Sequence, residues 1–447
     1  MTVVGPASRA DLAIPVTTPL SALLPVLVRH VTEDAAPGSL WVLQRFGDEP
    51  LDGEQTPATL GLRHGEILYL RPVDEPLPAL HFDDIADGVA QSVHALPGRW
   101  RPEFTGRLTL GAAGLTLAVL AVQVFGIGPG VVTSVVSAGV AVLLAAGCVA
   151  ADRLGAYQGS VLVAGLGSFG FSAFAGLAFR EGPDGGYAPG APGVLAAAAG
   201  VAVVSVALLA LRPLPAEVPG TVLLLGVAAA VGTDLMRITP WHGGQAVAVV
   251  AVTFFVLGHF GPRLSLRVAR LRVPRLPHDA QELQEDIEPE PQERVERRVR
   301  IATACFDTLG VSSAIVYAAG FWYMTRLQGW IGWLLPLVFA GAVLLRARGL
   351  ERAVQRVPMV VAGTAGLLAM TLTRFTPSAT GGRVTVALVL LASVFALLTA
   401  AWRLPGRRLL PVWGHCGDLL ETATSVALLP LLLQALHVYA ALRVLAS

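Results

Sequence analysis

The sequence predicts an α-helical polytopic membrane protein of about 11 transmembrane helices, with a small α+β domain at its N-terminus. Three observations predict it. Hydrophobic residues make up 54% of the chain and charged residues only 14%, against about a quarter charged in soluble domains. Long apolar runs start near Leu108 and recur almost to the end. The first 73 residues, in contrast, have ordinary composition and short alternating segments. At roughly 20 residues per crossing, the 447 residues hold about ten crossings and a modest soluble part.

The N-terminal segment, 1–73, reads in order as two strands, a helix and two strands. Thr2-Val3-Val4 ends at Gly5-Pro6, and Ala10, Leu12 and Ile14 alternate with polar or small neighbours, as in a half-buried strand. Thr18-Pro19 supplies a helix start, with Thr as cap and Pro in the first turn. Leu20, Leu23, Leu24, Leu27, Val28 and Val31 follow at helical spacing. Leu40–Arg45 and Ile67–Leu70 are the third and fourth strands. This is the β-grasp order, and Trp41–Leu51 with Leu60–Leu70 resembles the second half of a ubiquitin-like fold; another small α+β module has the same element order. The segment carries no terminal Gly-Gly and runs on through Pro72, Pro76 and Pro78, so it is expected to dock rather than to be conjugated.

A linker, 74–107, contains an amphipathic helix candidate over 81–97, with Phe82, Ile85, Val89, Val93 and Leu96 on one stripe and Asp83, Asp84 and Asp87 off it. Six spans are expected within 108–262, near 108–126, 131–150, 159–179, 193–211, 218–236 and 243–262. Five more are expected within 307–447, near 307–325, 330–346, 357–374, 384–402 and 422–441. The first two are split by a hairpin at Gly126–Gly130.

Between the two blocks lies the largest soluble insertion, 263–306, basic, then acidic, then basic again. Its second half reads as a solvated helix leading into the seventh span, with i,i+4 pairs Glu290–Arg294 and Glu293–Arg297. Arg294, Arg297, Arg298 and Arg300 are the candidate partner-docking residues, chosen from charge and position.

Orientation follows from arginine, the only basic side chain besides histidine. With the N-terminus in the cytoplasm, 21 arginines flank the spans on the inner side and 6 on the outer. An odd number of spans then puts the C-terminus outside. No secretory signal peptide is visible, so the N-terminal part is expected to fold on the side where it is made.

Chemistry is sparse. Ionisable groups near the spans (Asp234, Arg237, His242, His259, Asp307, Asp418, Glu421, His437) lie within a turn or two of an interface. They read as anchors, or as a local Asp234–Arg237 pair. Gln123 and Gln245 lie deeper and suit helix–helix hydrogen bonds. There is no P-loop, HExxH, GxSxG or pair of catalytic carboxylates. Cys148, Cys305 and Cys416 are too scattered for a disulfide framework or a zinc site. No catalytic residue, cofactor or metal is expected, and a net charge of +1 argues against nucleic acid as a partner. The function classes left are a membrane scaffold, a secondary transporter with a cytoplasmic regulatory domain, or a membrane anchor for a soluble partner.

The order of parts resembles the EccD family, the polytopic membrane component of the actinobacterial type VII (ESX) secretion system. The resemblance is carried by Thr2–Pro6, Asp11–Pro15, Leu23-Leu24-Pro25, Trp41-Val42-Leu43, Glu49–Asp52, Leu60–Pro72 and Phe82-Asp83-Asp84, followed by eleven spans with a long loop after the sixth. The absence of Lys and Asn fits a GC-rich actinobacterial genome. The resemblance implies a non-catalytic inner-membrane scaffold that pairs with a second copy around a lipid-lined space. It implies EccB-, EccC- and EccE-type partners, ATPase activity residing in the EccC component, and WXG100-type secreted proteins as indirect clients. The soluble parts are short for that family, which leaves the identity of the partners open.

Overall fold

The computed structural model describes all residues except 7, 33–39, 64, 75–84, 87–88, 90–101, 182–184, 188–189, 272–290, 376–379, 404–410 and 447. The described chain forms two compact units, Met1–Arg101 and Pro102–Ser447. Most of the amphipathic helix expected over 81–97, and the acidic run from Asp279 to Glu290, lie outside the described residues.

The first unit is a β-grasp. Strands β1 (Thr2–Val4), β2 (Arg9–Asp11), β3 (Trp41–Gln44) and β4 (Ile67–Pro72) form one sheet in the order β2-β1-β4-β3. The central β1–β4 pair is parallel, Val3 opposite Leu68, and both flanking pairs are antiparallel. Helix α1 (Leu20–Val31) crosses the sheet. Its Leu20, Leu27 and Val31 lie at i, i+7 and i+11 and are at most 2% exposed. They pack on Val3, Leu43, Leu68 and Leu70 from alternate strand positions. Two boundaries differ from the sequence reading. Pro19 occupies the N-cap itself, with no side-chain cap bond, so Thr18 does not cap the helix. The second strand ends at Asp11; Leu12 and Ile14 still pack on the core, but from irregular backbone.

The second unit is all helical: α2 (Pro102–Gly126), α3 (Val131–Arg153), α4 (Gln158–Leu177), α5 (Ala191–Leu211), α6 (Glu217–Ile238), α7 (Gly243–His259), α8 (Gly261–Val268), α9 (Gln292–Met324), α10 (Ile331–Ala347), α11 (Ala353–Met370), α12 (Thr380–Arg403), α13 (Pro411–Ala435) and α14 (Val438–Ala446). Among the described residues, nine helices are long and apolar enough to cross a membrane. The bent pair α7–α8 and the 17-residue α10 account for the other two expected spans.

Two span expectations need correction, at the sixth and the eleventh. The sixth span does not run to 262: Gly261-Pro262 opens a new helix bent 65° from α7, because proline removes a backbone donor and cannot continue the ladder. The seventh helix begins at Gln292, so the solvated helix expected in the second half of the loop runs on into the seventh span. The eleventh span ends at Ala435, where His437 takes a left-handed φ of 58° and starts α14.

The core of this unit is an aromatic cluster of Phe255, Tyr317, Phe321 and Phe339 from α7, α9 and α10, with ring centroids 5.1–6.3 Å apart. Alanines 248, 251, 340 and 342, all fully buried, let the helices approach. A Cβ at Gly176 would collide with the backbone of Ala196 and Ala197, so α4 and α5 cross in direct backbone contact.

Candidate functional site

Polar groups inside the helical unit are few, and nearly all find partners. Asp307 lies fifteen residues into α9 and is 3% exposed. Its Oδ1 accepts a hydrogen bond from Gln355 Nε2 at 2.5 Å, and its Oδ2 pairs with Arg352 Nη1 at 2.8 Å. Gly310 makes room for Gln355, whose Cγ would stand 3.2 Å from a Cβ there. Asp307 is therefore not the interfacial anchor expected from sequence. It is a buried carboxylate with both oxygens satisfied, the condition for tolerating charge away from water. Nearby, Arg346 Nη1 donates to Phe255 O at 3.1 Å and its guanidinium sits 5.0 Å over the Phe255 ring. Arg346, Arg352, Gln355, Ser313, Tyr317 and Glu421 line a cavity of about 460 Å³.

The other ionisable residues meet expectation more closely. Asp234 and Arg237 form an exposed pair at 3.3 Å. Asp418 is held by Arg348, across from α13 to the end of α10, at 2.5 Å. Gln245 Nε2 donates to Ala435 O on α13 at 2.8 Å, while its Oε1 accepts from the His242 amide. That is the helix–helix role expected of it; Gln123 is exposed. Cys148 is buried, Cys305 half-buried and Cys416 exposed, all as free thiols.

The four docking candidates lie on the first three turns of α9, in helical and largely exposed positions. Among the described residues, Glu293 and Arg297 form no ion pair, Glu296 and Arg300 pair at 3.8 Å, and Glu290 lies outside them. Exposed pairs of this kind contribute only a few tenths of a kcal/mol, so either register is accessible. Three of the four, Arg297, Arg298 and Arg300, line a cleft of about 980 Å³ formed with the ends of α5, α6 and α8. Arg294 is not part of it.

Arg212 and Arg270 complete the cleft. Both adopt left-handed backbone, φ 59° and 53°, Arg212 directly after α5 and Arg270 two residues past the end of α8. The left-handed residue closes each helix, its amide donating to Leu208 O and to Arg267 O respectively. Such backbone is disfavoured for any residue with a Cβ. Among the described residues, Glu217 is the only acidic side chain in the lining, beside five guanidinium groups of which Arg300 is paired with Glu296. Gly220 stands close to Thr308, bringing α6 against α9 at the base. Sequence reasoning used Arg212 and Arg270 only as members of the inner-side arginine count. No local pattern links them to Arg297, which lies 85 residues from one and 27 from the other.

This architecture has known relatives. The EccD-like transmembrane domain matches residues 105–445. The chain belongs to the EccD-like family. Residues 1–70 match a second model, the YukD protein of the WXG100 protein secretion system. The EccD-like chain is thus a multi-pass membrane component of a type VII secretion system, with a ubiquitin-like N-terminal unit. Among solved structures, protomer 1 of the ESX-3 core complex is similar at TM-score 0.59 and 20% identity, over 98% of each chain. The MycP5-free ESX-5 inner membrane complex in State II is similar at TM-score 0.56 and 18% identity, over 90% of this chain and 98% of that one. No curated protein matches the chain.

Proposed function

We propose that this EccD-like chain is a non-catalytic scaffold of a type VII secretion complex in the inner membrane, pairing with a second copy and docking partners through its ubiquitin-like unit and its loops. The observation that carries the reading is the union, in one chain, of the YukD match over 1–70 and the EccD-like match over 105–445. The partners proposed are EccB-, EccC- and EccE-type components, with WXG100-type proteins as indirect clients and lipid around the pair. The arginine asymmetry supports a cytoplasmic N-terminus and an outer C-terminus.

Two surfaces support docking. On the β-grasp unit, Phe46 and Ile67 are 64% and 45% exposed, and the Phe46 ring lies 5.9 Å from that of Tyr69. This apolar strip is of the kind that a partner covers. On α9, Arg294 is exposed in the first turn, beyond the arginine cleft, and suits an acidic partner segment.

A secondary transporter with a regulatory domain is the competing reading. Transporters place their polar groups at the bilayer midplane, often beside broken helices. Here the buried carboxylate is tied to an arginine and a glutamine beside the arginine-rich ends of the helices, which favours a structural role. The test is affinity purification of the tagged full-length chain from native membranes in mild detergent, with mass spectrometry of what co-purifies. Recovery of an FtsK/SpoIIIE-like ATPase with further membrane partners is expected. A chain recovered alone would overturn the scaffold and make transport the reading to test next.

A further inference from the structure

We infer that the arginine cleft between α5, α6, α8 and α9 binds the phosphate of an anionic lipid headgroup from the leaflet at that end of the helices. The inference does not rest on the secretion reading, since its ligand is lipid and its test needs no partner protein.

The charge comes first. Five arginines and one glutamate line about 980 Å³, and one of the five, Arg300, is paired with Glu296. Among the described residues, Arg212, Arg270 and Arg297 have no carboxylate within 4 Å. Three other arginines near helix ends in this unit do have carboxylate partners: Arg348 with Asp418, Arg352 with Asp307 and Arg237 with Asp234. Concentrating unneutralised guanidinium groups costs electrostatic energy unless an anion joins them. The guanidinium fork matches two phosphate oxygens at once.

The surroundings then choose among anions. The cleft is not a polar bowl. Leu209, Leu214, Val268 and Ile301 share its lining with the arginines. Val268 and Ile301 are 55% and 45% exposed. One wall, α8, is the helix that turns 65° away from the span preceding it. It carries exposed Leu264 and Val268 together with Arg263 and Arg267, the composition of a helix lying in a membrane interface. A free phosphate ion gains nothing from such apolar walls. A lipid satisfies both parts, phosphate to the arginines and the start of its acyl chains to the leucine and valine side chains. An acidic peptide would satisfy the charge and leave the apolar rim uncovered.

The experiment uses the full-length chain, purified and delipidated in a neutral detergent, with binding followed by native mass spectrometry. The probes are dioctanoyl phosphatidylglycerol, dioctanoyl phosphatidylcholine, inorganic phosphate and a glutamate-rich peptide. The variants are the triple Arg212→Gln/Arg270→Gln/Arg297→Gln and a control triple at the same end of the helices, Arg107→Gln/Arg153→Gln/Arg356→Gln. Phosphatidylglycerol is expected to bind the wild type and the control alike. It is expected to bind the cleft variant on the order of 100-fold more weakly, the loss of three basic contacts to an anionic lipid. Should the cleft triple fail to elute as a single species, the Arg212→Gln and Arg297→Gln single variants carry the same test, each expected to weaken binding several-fold.

Equal affinity for phosphatidylglycerol and phosphatidylcholine would overturn the inference. So would undiminished phosphatidylglycerol binding in the cleft variants. Inorganic phosphate that binds as tightly as the lipid would make this a soluble-anion site. The peptide binding in place of the lipid would make it a protein-docking site.

Discussion

Helices α9 and α12 were both expected to span a membrane, yet they stand at opposite extremes. In α9, 39% of the most apolar stretch is buried within the unit; in α12, none is. The less hydropathic helix is the more buried one. Its interior side carries Asp307, Thr308, Gly310, Ser312, Ser313 and Tyr317, all buried. Helix α12 presents Leu388, Phe395, Leu397 and Leu398, each at least 60% exposed. Where lipid is as apolar as leucine, burial gives leucine no advantage, and helices are drawn together by small residues and polar contacts. Hydropathy therefore locates the membrane, while polarity and small size locate the protein interior.

The contrast can be broken at several strengths. The largest effect is expected from Phe339→Ala in the aromatic cluster, which should cost about 2–5 kcal/mol through the cavity it opens, whereas Phe395→Ala on α12, 61% exposed, should change stability by less than about 0.5 kcal/mol. Near-equal costs for the two phenylalanines would mean that α12 is covered by protein rather than lipid. The next break is Asp307→Ala, which leaves buried Gln355 without its acceptor while the half-exposed Arg352 turns to water, and which should cost about 1–3 kcal/mol. Steric-trapping unfolding in detergent would measure these costs; a value for Asp307→Ala within about 0.5 kcal/mol of zero would show that the ion pair is not part of the folded core. Loss of function at Asp307 would follow from instability alone, so the exposed Asp234 is the site at which a transport role is tested.

Smaller effects sharpen the picture. Overpacking by Gly366→Val, against a Phe321 ring that a Cβ would approach to 2.6 Å, should cost about 1–3 kcal/mol, visible as a lower melting temperature in the same detergent. The β-grasp unit offers a pH probe. Burial would raise the Glu66 pKa, but the Arg63 amide and the Arg45 guanidinium, 2.6 and 2.7 Å away, outweigh it and hold the carboxyl below its ordinary 4.5. A carboxylate with a depressed folded pKa contributes stability that is full above its unfolded value and lost as pH falls through the folded one. Amide exchange in β3 and β4 of the full chain, corrected for intrinsic rates, should accelerate below about pH 4.5. Glu66→Gln should flatten that dependence. The least effect is expected from Asp234→Asn, where the exposed i,i+3 pair contributes about 0.5 kcal/mol or less.

Periodicity served the fold well because each element states its own period: alternation in Val3, Leu68 and Leu70, and a stripe in Leu20, Leu27 and Val31. Gly261-Pro262 was legible as a break and was passed over within a continuous apolar run. His437 carries no breaking signal; its left-handed backbone follows from tertiary context. The burial of Asp307 was not legible, because the residues that satisfy it, Arg352 and Gln355, belong to a stretch more than forty residues further on. The arginine cleft was half legible. Arg297, Arg298 and Arg300 stand out as a run, but Arg212 and Arg270 are single residues whose meaning depends on three helix ends meeting.

Helix α9 has a mechanical consequence. Its 33 residues, at 1.5 Å each, make a rod of about 50 Å, against a hydrocarbon thickness of about 30 Å. Roughly 20 Å must stand outside the membrane, with no proline anywhere along its length. A force applied at the protruding end meets no hinge before it reaches Asp307, Tyr317 and Phe321. A partner that tilts or twists the outer turns moves the centre of the helical unit as one piece. Such a rod passes an event in the aqueous phase directly into the packing of the spans.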